Sequence, residues 1–176
     1  PHPVPLDTLI LSINTGLKIT HLKLDEEDVA WSRHGTVLLV LPNTPVAPEQ
    51  ERILNVSYRG DVNDNAFDLQ REMGEPRLRK RYGPINKGSM TSWITKNSIF
   101  LPSRSRWYPV IGVDYGHEDS RPESFATADL LFTFRKGLEI ITQGAPTQTD
   151  TIGKRVIQKW VADKPVSQLS LNAGLY

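Results

Sequence analysis

Apolar residues in this chain recur at every second position, in short runs, and no long stretch keeps the three-to-four spacing of a helix face. Leu9, Leu11 and Ile13 form one such run, Leu54, Val56 and Tyr58 another, and Leu130, Phe132 and Phe134 a third. Each ends in turn-forming residues, such as Asn14-Thr15-Gly16 or Arg135-Lys136-Gly137. Successive strand side chains point to opposite faces, so a period of two gives every strand one oily face that a second layer must cover. The expected fold class is therefore all-β, an antiparallel β-sandwich with at most one short helix.

Local parity sharpens this picture. Leu17 and Ile19 open the second strand, whereas Leu22 and Leu24 fall on the opposite parity, so a bulge near His21 is expected, with His21 half-buried. In Thr36 to Leu41, Val37, Leu39 and Leu41 face one way and Leu38 and Val40 the other. Apolar residues on both faces predict a central, covered strand. Asp25-Glu26-Glu27-Asp28 is an acidic tip held in solvent by its own repulsion, which accounts for it without a calcium ion. Asn55-Val56-Ser57 matches a glycosylation sequon but falls in mid-strand, where coincidence accounts for it. Strands resume at Ala128 to Phe134 and Leu138 to Thr142, which Gln143-Gly144 closes into a hairpin-like pair. Thr147 to Gly153 reads as a polar turn, Val156 to Val161 as a strand, Asp163-Lys164-Pro165 as another turn, and Leu169, Leu171 and Ala173 as a last alternating run.

A length of 176 residues suits a single domain, 1–176, able to bury one sizeable core unaided. With 21 Lys and Arg against 20 Asp and Glu the net charge is +1, too small a field to draw the whole chain onto nucleic acid or an anionic membrane. Cysteine is absent, which excludes disulfides and thiolate metal sites. No apolar run approaches the roughly 20 residues that span a bilayer, so no direct membrane insertion is expected. The chain begins with proline rather than methionine, which points to processing or trimming. Pro1-His2-Pro3-Val4-Pro5 lacks three backbone donors and reads as a stiff leader with His2 in solvent.

Between residues 61 and 92 the alternation fails for about 30 residues, longer than compact connections usually run. Phe67 to Met73 has the makings of two helical turns, begun by Asp64 or Asn65 and stopped by Gly74. Arg77, Arg79, Lys80 and Arg81 beside Tyr82 form a basic cluster. It lacks the interleaved aromatics of a nucleic-acid surface, so a solvated loop is the expectation, with no nucleic-acid partner. A second polar loop, Asp114 to Glu123, is rich in carboxylates, but the zinc-peptidase helix motif needs a second histidine four residues after His117, and Arg121 stands there. Carboxylates alone also suit a glycosidase, on local charge only.

The densest candidate stretch is Trp93 to Val113. Pro102 and Pro109 fix their own φ and push Leu101 and Tyr108 toward extended geometry, so Trp107 and Tyr108 are presented on a rigid loop between strands. Candidate interface or ligand contacts are Trp93, Arg104, Arg106, Trp107, Tyr108 and Asp114. Simple filling of the sandwich core is the competing use of the rings, most of all for Trp93. No residue set amounts to a complete catalytic site, and no cofactor-binding or metal-binding residues stand out.

The order of several segments resembles the N-terminal β domain of the aminopeptidase N type of zinc metallopeptidase, a gluzincin. The carrying segments are Leu41-Pro42, Leu54-Asn55-Val56-Ser57-Tyr58-Arg59-Gly60, Phe100-Leu101 and Arg106-Trp107-Tyr108-Pro109. Leu131-Phe132-Thr133-Phe134, Lys136-Gly137, Thr142-Gln143-Gly144, Trp160, Pro165-Val166 and Ala173-Gly174-Leu175-Tyr176 continue it. The Tyr108-Pro109-Val110-Ile111-Gly112 segment is closer to bacterial members joined to an ABC-type transporter permease, which implies an extracytoplasmic or membrane-associated parent. The resemblance implies a saddle-like sandwich that is part of a larger protein and packs on a following peptidase-like domain. In that family the zinc ligands, the general-base glutamate and the Gly-x-Met-Glu-Asn strand all lie in that following domain. Zinc would thus be a cofactor there and not in this chain, and this chain would not be an enzyme alone. Active members also lend a glutamine or glutamate from this domain to the substrate amine; at the matching stretch this sequence has Lys96, Asn97 and Ser98.

Two functions from different classes follow. One is a non-catalytic accessory domain that walls the cleft of a peptidase-like partner domain and meets its peptide substrate. The other is a free-standing module that binds sugar or peptide through Trp107 and Tyr108, with Arg104, Arg106 or Asp114 as polar partners.

Overall fold

The computed structural model describes residues 4–62, 92–112 and 125–175. Fourteen strands lie among them: β1 (Leu9–Ser12), β2 (Leu17–Leu24), β3 (Glu27–Asp28), β4 (Ala30–His34), β5 (Val37–Leu41), β6 (Leu54–Gly60), β7 (Trp93–Ile94), β8 (Ile99–Leu101), β9 (Val110–Ile111), β10 (Ala126–Arg135), β11 (Glu139–Thr142), β12 (Ala145–Ile152), β13 (Arg155–Val166) and β14 (Leu171–Gly174). Every strand pairing is antiparallel, and among the described residues the helical content is one 3-10 turn, Ser103–Ser105. The fold is all-β, as the two-residue period requires. The chain divides into two compact units, one with described residues 4–62 and 106–112, the other with 92–105 and 125–175.

In the first unit a four-stranded sheet, β4-β5-β1-β9, and a three-stranded sheet, β3-β2-β6, share one core. Leu11, Ile13, Leu38 and Val40 meet Leu17 and Leu22 there, with Leu54, Val56 and Tyr58 packed around them. Each fully buried aliphatic of this kind contributes about 1.5–3 kcal/mol. The pairing of β2 with β6 slips between Ile19 and His21, which is the bulge that the parity change demands. Its consequence for His21 differs from expectation. Thr20 and His21 both end on the solvent side, so His21 is exposed and lies 3.9 Å from Asp28. β5 is central, between β4 and β1, but only its Leu38 and Val40 face is sealed, and Leu41 is 44% exposed.

Polar residues lock the turns of this unit. Asn14, fully buried, accepts Gly16 N–H on its side chain at 2.9 Å. The Arg33 guanidinium donates to four carbonyls, those of Gly35 at 2.8 Å, Asn14 at 2.6 Å, Ile13 at 3.4 Å and Leu17. A planar five-donor fork suits that task as no other side chain does. The acidic tip is a two-residue turn with Asp25 and Glu26 both in left-handed backbone geometry. Asp25 accepts Ile53 N–H at 2.7 Å and the Arg52 guanidinium, and Glu26 accepts the Asn55 side chain at 3.0 Å. The sequon asparagine is thus occupied as a hydrogen-bond donor.

The second unit contains sheets β10-β13-β12 and β11-β14-β8-β7. Three expectations change here. β10 pairs with β13, and β11 with β14, so Gln143-Gly144 leads out of β11 into β12 instead of closing a hairpin. Thr147 to Gly153 is mostly strand: β12 is an edge strand exposed along its whole length, so both its faces are polar and no alternation marks it. β13 runs on through Pro165, beyond its pairing with β12, where the missing donor costs nothing. Leu130, Phe132 and Phe134 do share the half-buried face of β10, with Leu130 opposite the buried Trp160. The residue 67–73 helix, the 77–82 basic cluster and the 114–123 loop lie outside the described residues.

Candidate functional site

Among the sequence-chosen residues, Trp93 and Arg104 belong to the second unit, and Arg106, Trp107 and Tyr108 to the first. Asp114 lies outside the described residues. The structure therefore presents two local clusters.

The first is built on the β7–β8 hairpin. Thr95 accepts Ser98 N–H at 3.0 Å and Asn97 N–H at 3.3 Å on its hydroxyl, which closes the turn that holds Lys96 and Asn97. Across it Trp93 stacks on Phe100, with ring centroids 4.7 Å apart at 27°, and donates its indole N–H to Ser98 Oγ at 3.1 Å. Trp93 is 43% exposed on an edge strand, so it does not fill the core. Beside it opens a concavity of about 400 Å3, lined also by Asn97, Ser98, Phe100, Asn172 and Leu175. Asn97 is held by Arg135, 3.2 Å away. Every lining residue is uncharged, so the concavity suits apolar surface with a few hydrogen bonds better than an ion. Sequence reading found Trp93 but missed Asn172 and Leu175, because only strand pairing brings them beside it.

The second cluster follows Pro102. Ser105 bonds the Pro102 carbonyl through N–H at 2.9 Å and hydroxyl at 2.7 Å, closing the 3-10 turn with Arg104 exposed. Arg106 then takes a left-handed φ of 50°, is 7% exposed, and accepts Asn14 N–H at 3.0 Å on its carbonyl. Trp107 and Tyr108, both half-buried, meet edge to face with centroids 5.0 Å apart at 72°. They offer no common plane for a sugar or base. The Trp107 indole N–H is buried without a hydrogen-bond partner.

Among the described residues no three His, Cys, Asp or Glu side chains converge as a metal site. None of their helices is long and apolar enough to cross a membrane. Asp25 and Tyr58 are shifted. The Ile53 N–H, opposed by burial and aided by Arg52, holds the Asp25 carboxyl below its usual range, and burial raises Tyr58. Neither lies at the two clusters.

No family model and no curated protein matches this chain. Solved structures do. A two-domain M1 zinc metallopeptidase variant bound to L-tryptophan superposes with a TM-score of 0.69 at 18% identity, covering 97% of this chain and 35% of that one. The M1 zinc metallopeptidase from Deinococcus radiodurans gives 0.68 at 17% identity, covering 98% and 35%. A variant of that enzyme bound to a Tyr-Ser-Ala substrate gives 0.69 at 17%. At such identities the likeness is one of fold, and the chain spans about a third of the length of these structures.

Proposed function

We propose that this chain is the non-catalytic N-terminal domain of an aminopeptidase N-like zinc metallopeptidase, packing on a following catalytic domain and walling its cleft. The observation that carries the reading is the extent of the fold match, 97–98% of this chain against 35% of each M1 structure. The ordered segments from Leu41-Pro42 to Ala173-Gly174-Leu175-Tyr176 support it independently. The sequence has no His-Glu-x-x-His, and on this reading the zinc ion is held by the domain that follows in the parent. What this domain contributes is apolar surface and rigid strand ends around a site housed elsewhere. The link to a transporter permease rests on Tyr108-Pro109-Val110-Ile111-Gly112 alone.

The test is zinc content and aminoacyl-p-nitroanilide hydrolysis of the parent reading frame beside the 176-residue chain. The parent is expected to bind one zinc ion and the chain none, with any hydrolysis confined to the parent. A reading frame in which no zinc-motif helix follows residue 176 would sink the proposal.

A further inference from the structure

β12 forms an outer edge of the sheet β10-β13-β12, and all of its residues, Ala145 to Ile152, are exposed. It turns back into β13 through Gly153-Lys154, with Gly153 at φ 59° and Ile152 opposite Arg155. Glycine first in a two-residue loop suits a type II′ turn, whose flanking residues bond each other, and bonded pairs then alternate along an antiparallel ladder. Ile152, Asp150 and Gln148 therefore turn their backbone groups toward β13, whereas Thr151 and Thr149 turn theirs outward. Among the described residues no strand takes up those outward groups. Exposed edges are commonly blunted with lysine, proline or a bulge. Here Pro146 and the register shift between Pro146 and Gln148 sit at one end, and the rest of the strand carries a single charge, on Asp150.

We propose that this edge pairs antiparallel with the same edge of a second copy of the chain, about a two-fold axis through Thr149. The residues themselves select that occupant. Thr147-Gln148-Thr149-Asp150-Thr151, read about Thr149, sets threonine opposite threonine and Gln148 opposite Asp150 of the second copy, so the edge is complementary to itself. An axis through Asp150 would oppose the two carboxylates directly, and one through Gln148 would set Asp150 opposite Pro146 and bring the register shift to the centre. In the Thr149 register Gln148 and Asp150 of both copies share one face. Gln148 Nε2 already donates to Asp150 Oδ2 of its own strand at 2.8 Å. The second hydrogen of that amide then meets Asp150 of the second copy, which closes two carboxamides and two carboxylates into one ring. The two carboxylates fall on its longer diagonal, about 7–8 Å between strand positions. This pairing is independent of whether a peptidase domain follows the chain.

The contact is a strand pair with little apolar surface, so the dimer is weak, and sedimentation equilibrium of the 176-residue chain is run from about 10 µM to about 1 mM. A reversible monomer–dimer equilibrium is expected. Thr149→Pro removes an outward donor without touching the β13 ladder and should leave only monomer. Gln148→Glu opposes like charges and should weaken association at least tenfold, whereas Gln148→Lys should strengthen it at low salt. The absence of cysteine supplies a register test. On the axis the two Thr149 Cα atoms lie about 5.5 Å apart, within disulfide reach, and the two Thr151 Cα atoms about 14 Å apart, beyond it. Mild oxidation should therefore crosslink Thr149→Cys and not Thr151→Cys. A chain that stays monomeric across the concentration range overturns the inference and leaves the edge to a strand from another source. A dimer unchanged by both Thr149→Pro and Gln148→Glu would assign association to a different surface and overturn it as well, and so would equal crosslinking of Thr149→Cys and Thr151→Cys.

Discussion

Gly144 and Gly112 both have left-handed backbone, with φ of 90° and 86°, yet their surroundings differ. A Cβ at Gly144 would stand 2.3 Å from the Val161 carbonyl oxygen, within the β12–β13 pairing, whereas one at Gly112 would meet nothing within 4 Å. Gly112→Ala should therefore cost about 1 kcal/mol, from backbone conformation alone. Gly144→Ala should cost about 3 kcal/mol or more, because strand pairing must shift as well. Urea unfolding of the two variants measures the difference directly. Asp25 supplies a second residue-scale prediction. Its folded pKa is depressed, first by the Ile53 N–H and then by Arg52, so its stabilising contribution is present above the unfolded value near 4 and fades as pH falls through the folded one. The urea midpoints of Asp25→Asn and the unmodified chain should thus differ at pH 6 and converge as the pH is lowered through the folded value. A gap that stays the same size on acidification would show that the carboxylate charge plays no part.

At the scale of elements, the period of two identified most strands and the face each one buries. Even the bulge at His21 was legible, because a parity switch inside one apolar run requires an extra residue on that strand. Partners were not legible. Alternation says which side of a strand is oily but not which strand lies beside it, so β10 and β11 read as a hairpin although each pairs elsewhere. β12 escaped notice because both its faces meet water, leaving no contrast to detect. The same contrast between sealed and open faces sets mutational cost. Leu38, fully buried, should lose about 3 kcal/mol on Leu38→Ala. Trp93→Ala, which removes a half-exposed ring and one stacked contact, should cost the isolated chain about 1 kcal/mol. Thermal or urea unfolding of both variants checks the ordering, and a larger loss at Trp93 would place its ring in a core.

For the whole molecule, a net charge of +1 predicts no salt-sensitive retention on nucleic acid. Elution from a DNA column at low ionic strength checks this, and a steep salt dependence would point to the 77–82 basic cluster. The site was less legible than the fold. The sequence drew attention to Trp93, Trp107 and Tyr108 as rings near prolines, but only strand pairing shows that Trp93 continues a row with Ile141 and Asn172 from distant positions.

The edge of β1 is closed by β9, and Ser12 Oγ donates to the Gly112 carbonyl at 2.5 Å across a separation of 100 residues. A ribosome adding about 5–20 residues per second needs about 5–20 seconds to cover that separation. Through that interval the emerging polypeptide holds β1 with one flank open, a row of unpaired backbone groups on which another strand could add.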